Sequence, residues 1–183
     1  MDSKLQIISG KYRGKKLNLP SCARPTQNLA RGALFNMLNE MLDLSRSINV
    51  WDVFAGSGAF GLECLSRYEK ANVVFTDNAN TSIDVIKKNV KSINCDAIIE
   101  KTDAIAEISR FGGDADLIFM DAPYSDFNLG VKFVKKLTPV AKNGAILIWE
   151  FEKIQKMPLL DGSWTILKDK TYGRARFLIL RKI

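Results

Sequence analysis

The chain has 183 residues, 46% of them apolar and 26% charged, which suits one domain with a short appendage and supplies enough apolar surface for a core. It has no histidine and three scattered cysteines. That excludes Ser-His-Asp triads, histidine acid–base chemistry and histidine-ligated metals, and it leaves no paired-cysteine spacing for a zinc site or a disulfide framework. No metal is expected, and the cysteines read as small buried hydrophobes. The net charge of +7 sits at the two ends: residues 1–31 carry seven Lys/Arg against one acidic residue, residues 168–183 carry six against one, and the stretch between is net acidic. A polyanionic partner is the natural expectation, because each phosphate contact releases counterions; a generic basic surface is the bland alternative. The longest apolar runs, such as 144–149, fall far short of the roughly 18–20 residues that cross a bilayer. With no apolar h-region at the start, a cytoplasmic protein is expected.

In chain order, residues 4–19 predict two short strands, 5–8 and 15–19, around a turn at Ser9-Gly10. Pro20 and Arg24-Pro25 break the chain after the second strand, and Thr26 is placed to cap a helix over about 27–42. From residue 48 onward apolar runs at 49–55, 72–76, 97–100, 116–120 and 144–149 alternate with helical patterns near 59–68, 80–92, 104–110 and 127–138. Such alternation implies a parallel sheet with right-handed crossovers. The last two runs, 164–167 and 175–180, have no helix between them and flank Lys170-Thr171-Tyr172-Gly173, a hairpin turn. The fold expected is therefore α/β, a doubly wound, mostly parallel sheet ending in an antiparallel hairpin, the outline of a class I (Rossmann-like) methyltransferase. Residues 1–45 form a small hairpin–helix extension and 46–183 the main domain.

Asp52-Val53-Phe54-Ala55-Gly56-Ser57-Gly58-Ala59-Phe60-Gly61 follows a strand and opens a helix, the context of a nucleotide loop. Gly56 and Gly58 let the backbone approach a ligand, and Gly61 permits close helix–strand packing. Residues 56–61 also read G-x-G-x-x-G, so a dinucleotide remains open. A carboxylate at Asp52 favours a cationic ligand such as S-adenosylmethionine, either by ordering the loop or by meeting the methionine ammonium. Asp77, beside Asn78, ends the next strand, where a carboxylate can accept from both ribose hydroxyls or cap the following helix. Asp103-Ala104 stands where the third strand approaches the adenine, or caps a helix.

Asp121-Ala122-Pro123-Tyr124 follows the strand 117–120. Ligands bind outside the carboxyl ends of parallel strands, so this tetrapeptide faces the cofactor. It is similar to the [Asp/Asn]-Pro-Pro-[aromatic] motif of amino-methyltransferases, with Ala122 in place of the first proline. An exocyclic base amine is a poor nucleophile, because its lone pair is delocalised into the ring. The Asp121 carboxylate and the Ala122 carbonyl can accept its two N–H bonds and aim the lone pair at a sulfonium methyl. Tyr124 can stack on the base. A strand-end Asp followed by a proline turn is the structural alternative.

These residues resemble a known family. Ile7-Ile8-Ser9-Gly10-Lys11-Tyr12-Arg13-Gly14-Lys15-Lys16-Leu17, then Arg24-Pro25-Thr26 through Arg31 with Leu34-Phe35-Asn36, then Phe54 to Ala59 with Gly61-Leu62-Glu63 and Leu65-Ser66-Arg67, are similar to the bacterial 16S rRNA guanine-N2 methyltransferases of the ribosomal small-subunit methyltransferase D type. The resemblance implies methylation of a small-subunit rRNA guanine, with 16S rRNA or the small ribosomal subunit as partner. It assigns RNA contact to the extension, where Arg13, Lys15, Lys16, Arg24, Thr26 and Arg31 lie. Leu29 and Gly32 replace the Arg and Glu usual there. An adenine-N6 DNA methyltransferase, a non-catalytic nucleic-acid-binding assembly factor that kept the fold, and a nicotinamide enzyme are the competing readings.

Overall fold

A computed structural model describes residues 5–20 and 28–183. Seven strands form one sheet: β1 (Ile48–Asp52), β2 (Ala71–Asp77), β3 (Ile98–Lys101), β4 (Leu117–Asp121), β5 (Ile146–Glu152), β6 (Trp164–Tyr172) and β7 (Ala175–Lys182). Their order is β3-β2-β1-β4-β5-β7-β6. The pairs among β1 to β5 are parallel, and β7 runs antiparallel to both β5 and β6. The strand order reverses between β1 and β4, and ligands of such sheets bind in the crevice at that switch point.

Alternation along each strand sorts the core into two layers. Val50, Phe75, Phe119, Ile148 and Ile179 face one layer, with α1 (Asn28–Asn39), α2 (Ala59–Arg67) and α3 (Asn80–Ile93) packed over them. Trp51, Ile118, Met120, Trp149 and Leu178 face the other, covered by α4 (Phe127–Leu137) and by the turn of helix Ile108–Gly112. Close helix–sheet contact depends on two glycines. A Cβ at Gly61 would run into the Phe75 ring, and one at Gly130 would come within 2.9 Å of the Trp149 indole.

The expected elements are present, with three differences. The helix expected near 104–110 is a single wide turn, Ile108–Gly112, of π type. The final hairpin is longer than the apolar runs suggest, with its turn at Gly173-Arg174. The N-terminal strands reduce to one antiparallel bridge, Gln6 to Lys16, and the reversal spans 9–14 rather than Ser9-Gly10. The reason is docking. Gly10, at φ 83°, lies against the backbone of Ser66, where any side chain would collide.

The extension is joined to the main sheet by buried polar contacts as well as by apolar packing. Leu5, Ile7, Leu17, Leu34, Phe35 and Leu38 belong to the same core layer as Phe60 and Phe119. Glu63 of α2 is fully buried; its carboxylate accepts the amides of Ile8 (2.8 Å) and Ser9 (3.0 Å). One helical turn on, Ser66 accepts from the Tyr12 amide at 2.9 Å and donates to the Ser9 carbonyl at 2.6 Å.

Candidate active site

A cavity of about 840 Å³ opens at the carboxyl ends of β1, β2, β4 and β5. Each of these strands places a carboxylate on its wall: Asp52, Asp77, Asp121 and Glu150. On the β1–β2 side the wall is the glycine loop. Phe54, Ala55, Gly56 and Ser57 line it, followed by Asp77 and Asn78. Gly56 has φ 54°, and a Cβ there would meet nothing within 4 Å, so the cavity keeps open space beside the loop backbone. Gly58, at φ 74°, instead faces the Phe75 and Ile86 side chains. It shapes the loop from behind and is not among the lining residues.

The two carboxylates on this side hold the loop. Asp52 Oδ2 accepts the Gly61 amide at 3.0 Å, tying the strand end to the first turn of α2. Asp77 Oδ2 accepts the Gly56 amide and Oδ1 the Ala79 amide, both at 2.9 Å. Asp77 thus braces both the loop and the entry to α3, whose N-cap residue is Ala79. Each carboxylate oxygen has two lone pairs, so a ligand hydroxyl can join these bonds. Burial pushes the Asp52 carboxyl up to about 8; the Gly61 amide works against that shift and the nearby Asp77 charge adds to it.

The β4–β5 side carries Asp121, Ala122, Pro123 and Tyr124, all on the cavity wall. Burial, then the charges of Glu150 and Asp52, push the Asp121 carboxyl well above the usual carboxylate range. Tyr124 donates its hydroxyl to Glu150 Oε1 at 3.0 Å. Burial and the Glu150 and Asp121 charges raise its phenol far out of the physiological range, so Tyr124 is a neutral donor and an aromatic face. Phe60 and Phe119, stacked with ring centroids 4.1 Å apart and planes nearly parallel, form an apolar wall beside this group. Leu19, Ala30 and Leu34 of the extension and Tyr172, Arg174 and Ala175 of the terminal hairpin complete the rim.

The remaining expected site residues fare differently. Asp103 is exposed, accepts the Ile105 amide at 2.8 Å and closes a local turn; neither it nor the buried Ala104 lines the cavity. Arg31 is a correction to the expected phosphate contacts. It borders the cavity but is 2% exposed, donates to the Gln6 carbonyl and to Asn28 Oδ1, and stands 3.7 Å from Glu63. An apolar face of α1 carries it inward, where Glu63 offsets its charge. Arg13, Lys15 and Lys16 are exposed on the arm; Arg24 and Thr26, the expected cap, lie outside the described residues.

Residues not expected from sequence include Glu150, Tyr172, Arg174 and Asn89. Asn89 is fully buried on α3 and bonds in both directions: its Nδ2 donates to the Ser57 carbonyl at 2.9 Å, and its Oδ1 accepts the Asn18 amide at 2.8 Å. It joins the glycine loop to the extension. A lone Asn on the buried face of a helix was the available signal. Glu150 had one too, as a single acid inside the run Ile146-Leu147-Ile148-Trp149-Glu150-Phe151.

The donor set suits a cationic ligand with a hydroxylated sugar. An open glycine loop, an Asp able to meet an ammonium and a second Asp for ribose hydroxyls fit S-adenosylmethionine. The acidic wall suits that ligand better than the pyrophosphate of a dinucleotide.

Comparison with known proteins agrees with this architecture. The profile of the family described as conserved hypothetical protein 95 matches residues 5–181. The ribosomal RNA small subunit methyltransferase D of Buchnera aphidicola (subsp. Acyrthosiphon pisum) is 32% identical over 92% of this chain and 88% of its own length. The protein of the same name from Escherichia coli is 27% identical over 97% and 90%. The solved structure of the putative methyltransferase yhhF from Escherichia coli superposes with a TM-score of 0.84 at 26% identity, covering 98% of each chain. This chain belongs to the conserved hypothetical protein 95 family, that of the small-subunit ribosomal RNA methyltransferase D proteins.

Proposed function

We propose that this protein transfers a methyl group from S-adenosyl-L-methionine to the exocyclic N2 amine of a guanine in small-subunit (16S) rRNA, within an assembled or assembling 30S particle. The observation that carries the reading is that Asp121-Ala122-Pro123-Tyr124 shares one cavity with the glycine loop and Asp77. The names of the relatives at 27–32% identity support rRNA as the substrate class.

In this reading Asp52, the loop 54–57, Asp77 and Asn78 hold the cofactor. When bound, S-adenosylmethionine supplies an electrophilic methyl on a sulfonium sulfur. Asp121 and the Ala122 carbonyl would accept the two N–H bonds of the amine, orient its lone pair and favour the positive charge that develops on nitrogen as the N–C bond forms and the methyl's bond to sulfur breaks, leaving S-adenosylhomocysteine. Methylated, that nitrogen is acidic enough to release one proton, so the absence of histidine is no obstacle. The Tyr124 ring and the apolar wall of Phe60 and Phe119 hold a base turned out of its stack. Residues 1–45 act as the RNA-contacting extension, with the exposed Arg13, Lys15 and Lys16 on phosphates.

The test is methyl transfer from labelled cofactor to undermodified small subunits and, in parallel, to their deproteinised RNA, with mass spectrometry of the nucleosides as the readout. N2-methylguanosine formed on the subunits is the expected product. N6-methyladenosine, or no transfer to either substrate by a chain that binds S-adenosylhomocysteine, overturns the reading.

A further inference from the structure

A buried polar group without a partner is rare, because its lost hydration goes uncompensated. Among the described residues, the buried side-chain nitrogens and oxygens that make no hydrogen bond belong to one residue: they are Nε and Nη1 of Arg31. The rest of that guanidinium is held. Its Nη2 donates to the Gln6 carbonyl and, at 3.2 Å, to Asn28 Oδ1. Nε stands 3.7 Å from Glu63 Oε2, which balances charge without a hydrogen bond. Glu63 is committed elsewhere, to the Ile8 and Ser9 amides and to Arg67 Nε at 2.6 Å. Nη1 carries two N–H groups, and neither is used.

The same side chain borders the cavity, at 2% exposure. Its place relative to the glycine loop is fixed by α2. Phe35, one turn after Arg31 on α1, stacks on Phe60 at 5.1 Å, and Glu63 follows on the same helix. Asp52 holds the Gly61 amide between them. Arg31 and Asp52 thus bring a cation and an acid to the start of α2, both on the cavity wall. The other charged residues described on that wall are acids, apart from Arg174. Arg174 is 66% exposed and donates to Glu152 at 3.1 Å.

The amino-acid end of S-adenosylmethionine is a zwitterion, with an ammonium and a carboxylate on one carbon. An acidic wall suits the ammonium and the sulfonium and repels the carboxylate. A guanidinium with a free edge is the complement a carboxylate needs. An RNA phosphate shares that chemistry, but Arg31 is closed to the outer surface along which an RNA backbone runs. We propose that Arg31 anchors the cofactor by its carboxylate, Nη1 donating to that group while Asp52 meets the adjoining ammonium. The extension then completes the cofactor site as well as facing RNA. The inference rests on the S-adenosylmethionine reading above.

S-adenosyl-3-thiopropylamine isolates the contact: it is S-adenosylhomocysteine without the carboxylate, and it keeps the adenosine, the thioether and the amine. Calorimetry gives Kd for both ligands, and the readout is their ratio within one protein, so partial loss of folded protein cancels. The wild type is expected to prefer S-adenosylhomocysteine by at least about tenfold, the effect of a charge-assisted hydrogen bond. Arg31→Met is expected to bring the two within about threefold or to reverse the order, since the acidic wall then repels the carboxylate unopposed. Arg31→Lys, which keeps the charge and loses the fork, is expected to lie between. The wild-type comparison needs no variant, so the inference stays testable if Arg31→Met does not fold. A wild type that binds both ligands equally, or an Arg31→Met variant that keeps the wild-type ratio, overturns the inference alone. A wild type that binds neither ligand overturns it together with the cofactor reading.

Discussion

The two sides of the cavity are built differently. The side proposed for the cofactor comes from the stretch between the end of β1 and the end of β2, and its geometry is mostly backbone: Gly56 leaves room and Asp52 and Asp77 hold amides. The side proposed for the substrate is assembled from distant segments: Leu19, Ala30 and Leu34 of the extension, the end of β4, Glu150 of β5 and the hairpin tip at Tyr172, Arg174 and Ala175. Binding one invariant small molecule needs a fixed local shape, which a short motif can encode. Recognising one base in a large RNA needs several walls, which only the tertiary fold brings together. Long-range polar contacts, Glu63 and Ser66 to the arm and Asn89 between arm and loop, join the two sides.

If the extension is part of the fold, cutting its anchor should cost more than any change at the rim. Glu63→Ala would leave Arg31 buried without its counter-charge and the Ile8 and Ser9 amides without their acceptor. The expected loss is about 3–5 kcal/mol of unfolding free energy, the usual result of breaking a buried ion pair from one end. Denaturant titration measures it. A loss below about 1 kcal/mol would mean that the arm adds little to the core and that the two sides are independent.

The next effect separates chemistry from cofactor binding. Asp121→Ala should lower single-turnover methyl transfer at least about 100-fold, because it removes an acceptor aimed at developing charge. S-adenosylhomocysteine affinity, measured by calorimetry, should change by less than about threefold, since the loop and Asp77 stay intact. Near-normal turnover would reduce Asp121 to a strand-end turn residue. A parallel collapse of cofactor affinity would show that the two sides share one carboxylate cluster.

Much of this was legible from sequence where the signal is local. Strand–helix alternation set the sheet, and the glycine spacing and Asp121-Ala122-Pro123-Tyr124 located the two walls. The errors have one physical source: a residue's own type does not reveal what packs on it. Arg31 belongs to the basic N-terminal segment, yet a buried acid 32 positions away draws it inward. Asp103 has the expected place after β3, but a local turn satisfies its carboxylate and it stays exposed. Glu150 and Asn89 act through partners distant in sequence, so no spacing rule singled them out.

A titration tests which side Asp52 serves. Its carboxyl is raised from 3.8 to about 8, chiefly by burial. The folded chain therefore holds a proton that the unfolded chain releases, and this group's contribution to stability, complete below the ordinary carboxylate range, is lost as pH rises through about 8. An ammonium bound beside Asp52 favours the charged form and makes binding release that proton. S-adenosylhomocysteine affinity should then rise by up to about 50-fold from pH 6 to pH 8 and flatten in Asp52→Asn. A wild-type profile as flat as the variant's would confine Asp52 to ordering the loop through Gly61.

The smallest effect is expected at the outer arm, and it decides whether the charge there has a use. Arg13 and Lys15 are exposed, with neither taking part in the ion pairs found among the described residues. Exposed charges of this kind add little to stability. If both meet phosphates, Arg13→Ala with Lys15→Ala should weaken binding to small subunits and reduce the slope of log affinity against log salt by about 1.5–2, close to one unit per lost contact. Melting temperature and cofactor affinity should hardly move, because the buried anchors at Glu63 and Ser66 keep the arm in place. Filter binding across a salt series reads the slope directly. An unchanged slope would strip the arm of its phosphate contacts and move RNA recognition to the hairpin tip, where Arg174 is 66% exposed on the cavity rim.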